Sequence, residues 1–242
     1  MDLLAEPGVL AAVLAIVFFA GIVQAGLGMG FGLTAAPMVA LLDPMLVPAP
    51  VLILGFFSSA WVAILHRGQI VWPEVGLATA GRFAGVAITT ALLVSFSRDA
   101  FTIAFAVLVI LAVAMSLAGV RFPFNRLSLV AVAVVSGIMG TITSVGAPPL
   151  ALVYQSRPPG PSRATLAAFF TLGVALSLGA LILTGWCRWH DAELAAVMAP
   201  AMIAGLVVAG RFRATFDTRY RALMLAASGF AGLILLGRTI WG

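Results

Sequence analysis

Lysine is absent from the 242 residues, only eight acidic residues occur, and charged residues together make up 9% of the chain. A water-soluble domain covers its surface with roughly a quarter charged residues. This chain cannot be coated by water on all sides and must face lipid, which excludes a soluble enzyme, a nucleic-acid-binding module and a disordered chain. The single cysteine, Cys187, excludes a disulfide framework and a multi-thiolate metal site. The two histidines, His66 and His190, sit at the ends of apolar runs and form no transition-metal cage. No metal and no other cofactor is expected. Also missing are Gly-x-Ser-x-Gly, His-Glu-x-x-His, paired intramembrane aspartates and, without lysine, any Ser–Lys dyad. The chain therefore reads as a non-enzyme.

What is present is apolar: 63% of residues belong to the hydrophobic set and the mean hydropathy is +1.18. Apolar runs lie at 9–25, 27–42, 48–65, 75–94, 100–118, 128–143, 144–155, 164–185, 194–209 and 222–241. Those of about 18–22 residues can cross a hydrocarbon core about 30 Å thick as helices, whereas 27–42 and 144–155 are too short to do so comfortably. Asp2 and Glu6 precede the first run in place of a basic stretch, so a cleaved signal peptide is not expected. Trp72, Trp186, Trp189 and Trp241 lie at or beside run ends, where indoles favour the headgroup zone. The expected class is all-α: a polytopic membrane protein of eight to ten segments, with the lipid bilayer as its constant partner and nucleic acid excluded.

The two halves of the chain, 1–120 and 121–242, resemble each other. Gly26 to Pro37 aligns with Gly137 to Pro148 at an offset of 111, placing Gly26 on Gly137, Ala36 on Ala147 and Pro37 on Pro148. Further on the offset becomes 120, where Gly85 meets Gly205 and Phe96 meets Phe216. Each half is read as opening with a hairpin, entering and leaving the membrane on one face, whether it crosses fully or only part of the way. An odd number of crossings per half then makes the two repeats inverted. One face receives Arg67, Arg121, Arg126, Arg157, Arg163, Arg211, Arg213, Arg219 and Arg221, and the other only Arg98, Arg188 and Arg238. Counting each opening segment as a single crossing splits the arginines seven to five. The positive-inside rule prefers the first arrangement, which puts both termini outside.

Inverted repeats of interrupted helices are the architecture in which carriers hold a solute near the midplane. Irregular backbone at membrane depth is tolerated only where it lines protein or a watery cavity. Two stretches qualify. Gly26, Gly28, Gly30 and Gly32 precede Thr34 and Pro37; Gly137, Gly140 and Gly146 flank Thr141, Thr143 and Ser144, ahead of Pro148 and Pro149. A short helix starting at such a break aims free N–H groups at the cavity, which suits an anion. Small residues four apart, such as Gly28 with Gly32 and Gly81 with Gly85, serve equally for helix packing.

Arg82 is the one charged residue deep within a run, where a guanidinium is costly unless it faces protein or water. It is either a structural or snorkelling residue or an attractor of oxyanions, which its planar donor fork matches. Gln24, Tyr154 and Gln155 on the hairpin legs are further candidate donors to a bound oxygen, or helix caps. Ser58, Ser59, Thr171 and Ser177 read first as hydroxyls bonded back to their own helices. No carboxylate lies at membrane depth, so the usual proton relay or sodium ligand is missing. An electrophoretic uniport follows, or coupling through protonation of the substrate alone.

The motifs Gly-x-Gly-x-Gly-Phe-Gly-Leu-Thr-Ala-Ala-Pro at 26–37 and Gly-x-x-Gly-x-x-x-Ser-x-Gly-Ala-Pro-Pro-Leu at 137–150, one per half, resemble those of the sulfite exporter TauE/SafE family. The similarity runs over essentially the whole chain. It departs at Ala35-Ala36-Pro37, where family members often carry a glycine pair before the proline. The resemblance implies a bacterial inner-membrane carrier for export or uptake, here read as an exporter, of sulfite, sulfonates such as sulfoacetate, or other organosulfur anions, with its substrate held by the two hairpins. The candidate binding residues are Gln24, Gly28, Gly30, Thr34, Pro37, Arg82, Thr141, Thr143, Ser144, Gly146, Pro148, Tyr154 and Gln155. The alternatives are a non-transporting scaffold or a carrier of another small anion.

Overall fold

In the computed structural model, residues 6–117, 122–154 and 156–211 are described. The apolar run 222–241, Gln155, and Arg121, Arg213, Arg219, Arg221 and Arg238 lie outside the described residues. Nine α-helices account for the described chain: α1 (Pro7–Leu27), α2 (Phe31–Leu42), α3 (Ala49–Leu65), α4 (Trp72–Leu93), α5 (Arg98–Leu117), α6 (Arg126–Thr143), α7 (Ala147–Tyr154), α8 (Pro159–Leu183) and α9 (Trp189–Arg211). Five of them, α1, α4, α6, α8 and α9, are long and apolar enough to cross a membrane, and α2, α3 and α5 are shorter apolar helices.

Helix boundaries follow local chemistry. Proline stands in the first turn of α1, α3, α4 and α8, where a missing N–H costs nothing. Asn125 caps α6 by accepting from the Ser128 N–H at 2.8 Å. Asp43 ends α2 and accepts from the Met45 N–H at 2.9 Å, turning the chain toward α3. The helices start earlier than the apolar runs at α4, α8 and α9, because capping prolines and polar residues precede the lipid-facing stretch.

Glycine allows the helices to pack at close range. In α4, Gly81 lies against the Val130 carbonyl and Ala133 of α6, and Gly85 lies against Val134 and Gly137. The same arrangement joins α1 to α9: Gly21 meets Met202 and Gly205, and Gly205 meets the Phe18 carbonyl. The packing role anticipated for Gly81 and Gly85 is thus observed. Both contacts join the first half of the chain to the second, so the halves interlock.

The connections gather at two opposite ends. At one, the Val71 N–H donates to Thr165 Oγ1 at 3.0 Å, and Glu74 receives both Tyr154 Oη at 2.8 Å and Arg157 Nη2 at 2.7 Å. Phe124 packs edge-on against Tyr154, so α6 starts and α7 finishes at this end. At the other, Met45, Pro48, Phe96, Phe101, Trp186 and Arg188 surround a common depression. The α1–α2 hairpin therefore finishes at the end opposite to the α6–α7 hairpin. Trp72 and Trp189 are exposed, as a headgroup role requires, whereas Trp186 stacks on Phe101 with centroids 4.7 Å apart.

Candidate functional site

Both opening hairpins are broken by left-handed backbone. Helix α1 stops at Gly28 (φ 74°), whose N–H returns to the Gln24 carbonyl at 2.8 Å, and α2 starts after Gly30 (φ 103°). A side chain at either position would be strained, which is why glycine stands there. Helix α6 stops at Ser144 (φ 61°), and α7 begins three residues on, at Ala147. Gly28 and Ser144 are 116 positions apart, and so are Gly21 and Gly137, the glycines through which α1 and α6 meet their partners. Pro37 lies inside α2 while Pro148 lies in the first turn of α7, so these two prolines are not equivalent.

The first break is held by Gln24. Its Oε1 accepts the Phe31 N–H at 3.1 Å and its Nε2 donates to Ser59 Oγ at 3.1 Å, capping α2 and tying it to α3. The second is held by hydroxyls. Thr143 Oγ1 donates to the Met139 carbonyl and accepts the Val145 N–H, and Ser136 Oγ donates to the Gly146 carbonyl at 2.7 Å. The two breaks touch each other, the Gly32 Cα pressing on the Ser144 carbonyl with no room for a side chain. Helix α7 opens with Ala147-Pro148-Pro149, and its prolines have no N–H to offer. At the start of α2 the Phe31 N–H is taken by Gln24 Oε1 and the Thr34 N–H by the Gly30 carbonyl.

Arg82 is the eleventh residue of α4 and only 1% exposed. It neither snorkels nor, among the described residues, meets a carboxylate. Its Nη1 donates to Ser136 Oγ at 2.9 Å and to the Ser136 carbonyl at 3.4 Å, and its Nη2 donates to Ser177 Oγ at 3.2 Å. Its Nε is buried without a partner. The rings of Phe169 and Phe170 lie 5.6 and 5.7 Å from Cζ, within cation–π range. Glycines form the slot that admits the head group: a Cβ on Gly140 or Gly146 would come within 2.8 or 2.9 Å of a guanidinium nitrogen, and one on Gly173 would overlap Cδ and Nε. Hydrogen bonds to a charged group contribute about 1.5–3 kcal/mol each. They offset the insertion cost of a mid-helix arginine, about 2.5–3.5 kcal/mol, but they do not neutralise its charge.

Between the breaks and Arg82 lies a cavity of about 30 Å³, room for one or two water molecules. Gln24, Gly30, Phe31, Gly32 and Leu33 line it from the first hairpin, and Ser144, Gly146 and Ala147 from the second. Val51, Leu52, Gly55 and Ser59 of α3, Arg82 of α4, and Phe170 and Val174 of α8 complete the wall. A second, open depression of about 520 Å³ lies at the end where α2 finishes. Ser144 Oγ donates to the Pro48 carbonyl at 3.0 Å. Ser144 faces the inner cavity and Pro48 the depression, so this single contact is part of the partition between them.

Of the residues named from sequence, Gln24, Gly30, Arg82, Ser144 and Gly146 are brought together at the cavity. Gly28, Thr34, Pro37, Thr141, Thr143 and Pro148 lie outside its wall. Thr141 bonds the Gly137 carbonyl and lies 2.9 Å from Ser177 Oγ, one shell behind Arg82. Tyr154, read as a donor to bound oxygen, is instead turned to Glu74 at the end of the bundle. Ser58 and Thr171 do bond back to their own helices, whereas Ser59 and Ser177 also join the site's network.

Ser136, Gly173, Phe169 and Phe170 were not singled out from the sequence. Ser136 with Gly140, and Gly173 with Ser177, repeat the small-residue spacing of four read elsewhere, and that pattern would have pointed to them. The phenylalanines give no comparable signal in so apolar a chain.

A family model described as Sulfite exporter TauE/SafE matches residues 13–235. Comparison with curated proteins and with solved structures returned no significant match.

Proposed function

The chain belongs to the sulfite exporter TauE/SafE family, and from that premise we propose that it carries sulfite or sulfonates outward across the bacterial inner membrane through the cavity between its two broken hairpins. The family is one of multi-pass membrane transporters, and the apolar helices accord with that. The observation that carries the site assignment is Arg82: a fully buried cation with, among the described residues, neutral partners only, beside a hollow walled by both breaks. A site of this kind offers an anion charge and a donor fork in a water-poor setting.

In this reading the halves 1–120 and 121–242 are inverted repeats. Supporting it are hairpins that finish at opposite ends and the reciprocal glycine contacts of α4 with α6 and α1 with α9. The arginine-rich end bearing Arg67, Arg126 and Arg157 faces the cytoplasm, and both termini face outside. In this reading the two closures are Ser144 on Pro48 toward the depression and Glu74 with Arg157 and Tyr154 at the cytoplasmic end. Alternating access consists of breaking one closure at a time, which also widens a cavity too small for a sulfur oxyanion. With no carboxylate at membrane depth, outward flux follows the membrane potential, about 2.3 kcal/mol per charge per 100 mV.

The test is a binding panel of sulfite, sulfoacetate, taurine and sulfate on the purified protein, followed by flux in proteoliposomes. Saturable binding of a sulfur anion and flux that follows an imposed potential are expected. Flux that ignores the potential yet tracks a pH gradient removes the uniport, and absence of binding by any anion removes the carrier reading.

A further inference from the structure

Among the described residues Arg82 is a lone positive charge. Its partners are two hydroxyls and a backbone carbonyl, and its Nε has none. Among the described residues no second charge stands near it. Glu74, eight residues earlier on α4, is about 12 Å away along the helix and is taken by Tyr154 and Arg157. Arg126 on α6 and Arg163 on α8 precede the contacting Ser136 and Ser177 by about 15 and 21 Å of helix. Tyr154 is the ionisable group of α7 and faces Glu74. Helices α1, α2 and α3 carry no ionisable side chain.

We propose that this site selects singly charged anions, refusing both the neutral and the doubly charged analogue of the same shape. The inference rests on the carrier reading above and adds the charge state of what is carried. One guanidinium compensates one negative charge. A neutral ligand leaves the buried cation uncompensated, the costly state of a broken ion pair. A dianion brings a second charge out of water with only hydroxyls and amides to meet it. Its desolvation cost rises with the square of the charge, while its attraction to Arg82 only doubles. Hydrogensulfite and simple sulfonates fit this rule; sulfite dianion and sulfate do not.

Three nearly isosteric tetrahedral molecules separate charge from size: dimethyl sulfone, methanesulfonate and sulfate. Calorimetric titration into the purified full chain in nanodiscs is expected to show methanesulfonate bound about tenfold or more tightly than either neighbour. Sulfite supplies a second readout at constant size. Its affinity is expected to fall as the pH rises through the ionisation of hydrogensulfite, near neutrality, while that of methanesulfonate stays level. In folded Arg82→Gln protein the preference for methanesulfonate over dimethyl sulfone is expected to vanish, and Arg82→Lys to keep it. Sulfate binding as tightly as methanesulfonate, sulfite affinity rising with pH, or a folded Arg82→Gln protein that keeps the preference each overturns charge selection and leaves the carrier reading standing. No binding by any of the four anions and analogues overturns both.

Discussion

Gly32 presses its bare Cα against the carbonyl of Ser144, so the first turn of α2 and the left-handed cap of α6 meet as backbone against backbone. The wall of the cavity passes through this contact. The consequence for substitution is opposite to that expected of an isolated helix. Alanine at position 32 improves helix propensity by about 0.8–1.0 kcal/mol, but its Cβ has no space. Overpacking of this kind costs about 1–3 kcal/mol. Gly32→Ala is therefore expected to lower the melting temperature in detergent and to abolish anion binding. Gly179→Ala, in α8 with nothing within 4 Å of the added carbon, is the control and is expected to hold or raise it.

Arg82 depends on its slot. Ser177→Ala removes an acceptor from Nη2, and Ser136→Ala one from Nη1 as well as the bond to the Gly146 carbonyl. Each is expected to cost about 1–3 kcal/mol in stability. The double variant is expected to fall short of the sum because both act on one guanidinium. Gly173→Ala differs: its added carbon falls on Arg82 Cδ and Nε and displaces the head group itself. Its expected signature is weaker methanesulfonate binding out of proportion to any loss of thermal stability, read by calorimetry beside a melting curve.

The number and order of helices are legible in the apolar runs because lipid exposure forces long, nearly uncharged segments, and all nine described helices match a run. The breaks are legible too, since only glycine, or a residue under strain such as Ser144, takes a left-handed turn at membrane depth. Register is less so. The Ala-Pro frame aligns well as text, but Pro37 lies inside α2 whereas Pro148 lies in the first turn of α7. Partners of the buried charge are the hardest part. The spacing of four marks Ser136 and Gly173 as close-packing positions, but nothing in it ties them to Arg82, fifty or more positions away.

Glu74 joins α4 to the α7–α8 region through Tyr154 and Arg157. Arg157 is more than a third exposed, so the ion pair is screened and contributes on the order of 1 kcal/mol or less to stability. Its weight falls instead on the closure of this end. Glu74→Gln is expected to leave the melting temperature nearly unchanged while opening the cavity from the arginine-rich side. A cysteine placed at Ser59 in a Cys187→Ser background reports this. Its labelling by a hydrophilic thiol reagent added from that side is expected to speed up in the Glu74→Gln variant, and an unchanged rate removes the closure from this end of the bundle.

Cys187, the chain's one thiol, lies between α8 and α9, beside Trp186 at the rim of the 520 Å³ depression. Partial burial pushes its pKa above the ordinary thiol value, and the negative charge of Asp191 adds to the shift. Both favour the neutral thiol, so at neutral pH very little thiolate is present and alkylation is slow. The rate is expected to climb about tenfold per pH unit through the alkaline range, without levelling at the usual thiol pKa. Asp191→Asn removes the repulsion and is expected to speed labelling at fixed pH. The same thiol decides orientation. With the arginine-poor end outside, a membrane-impermeant maleimide added to intact spheroplasts at alkaline pH is expected to label Cys187 without lysis. Protection until the cells are broken would reverse the assigned orientation and, with it, the outward direction of the proposed flux.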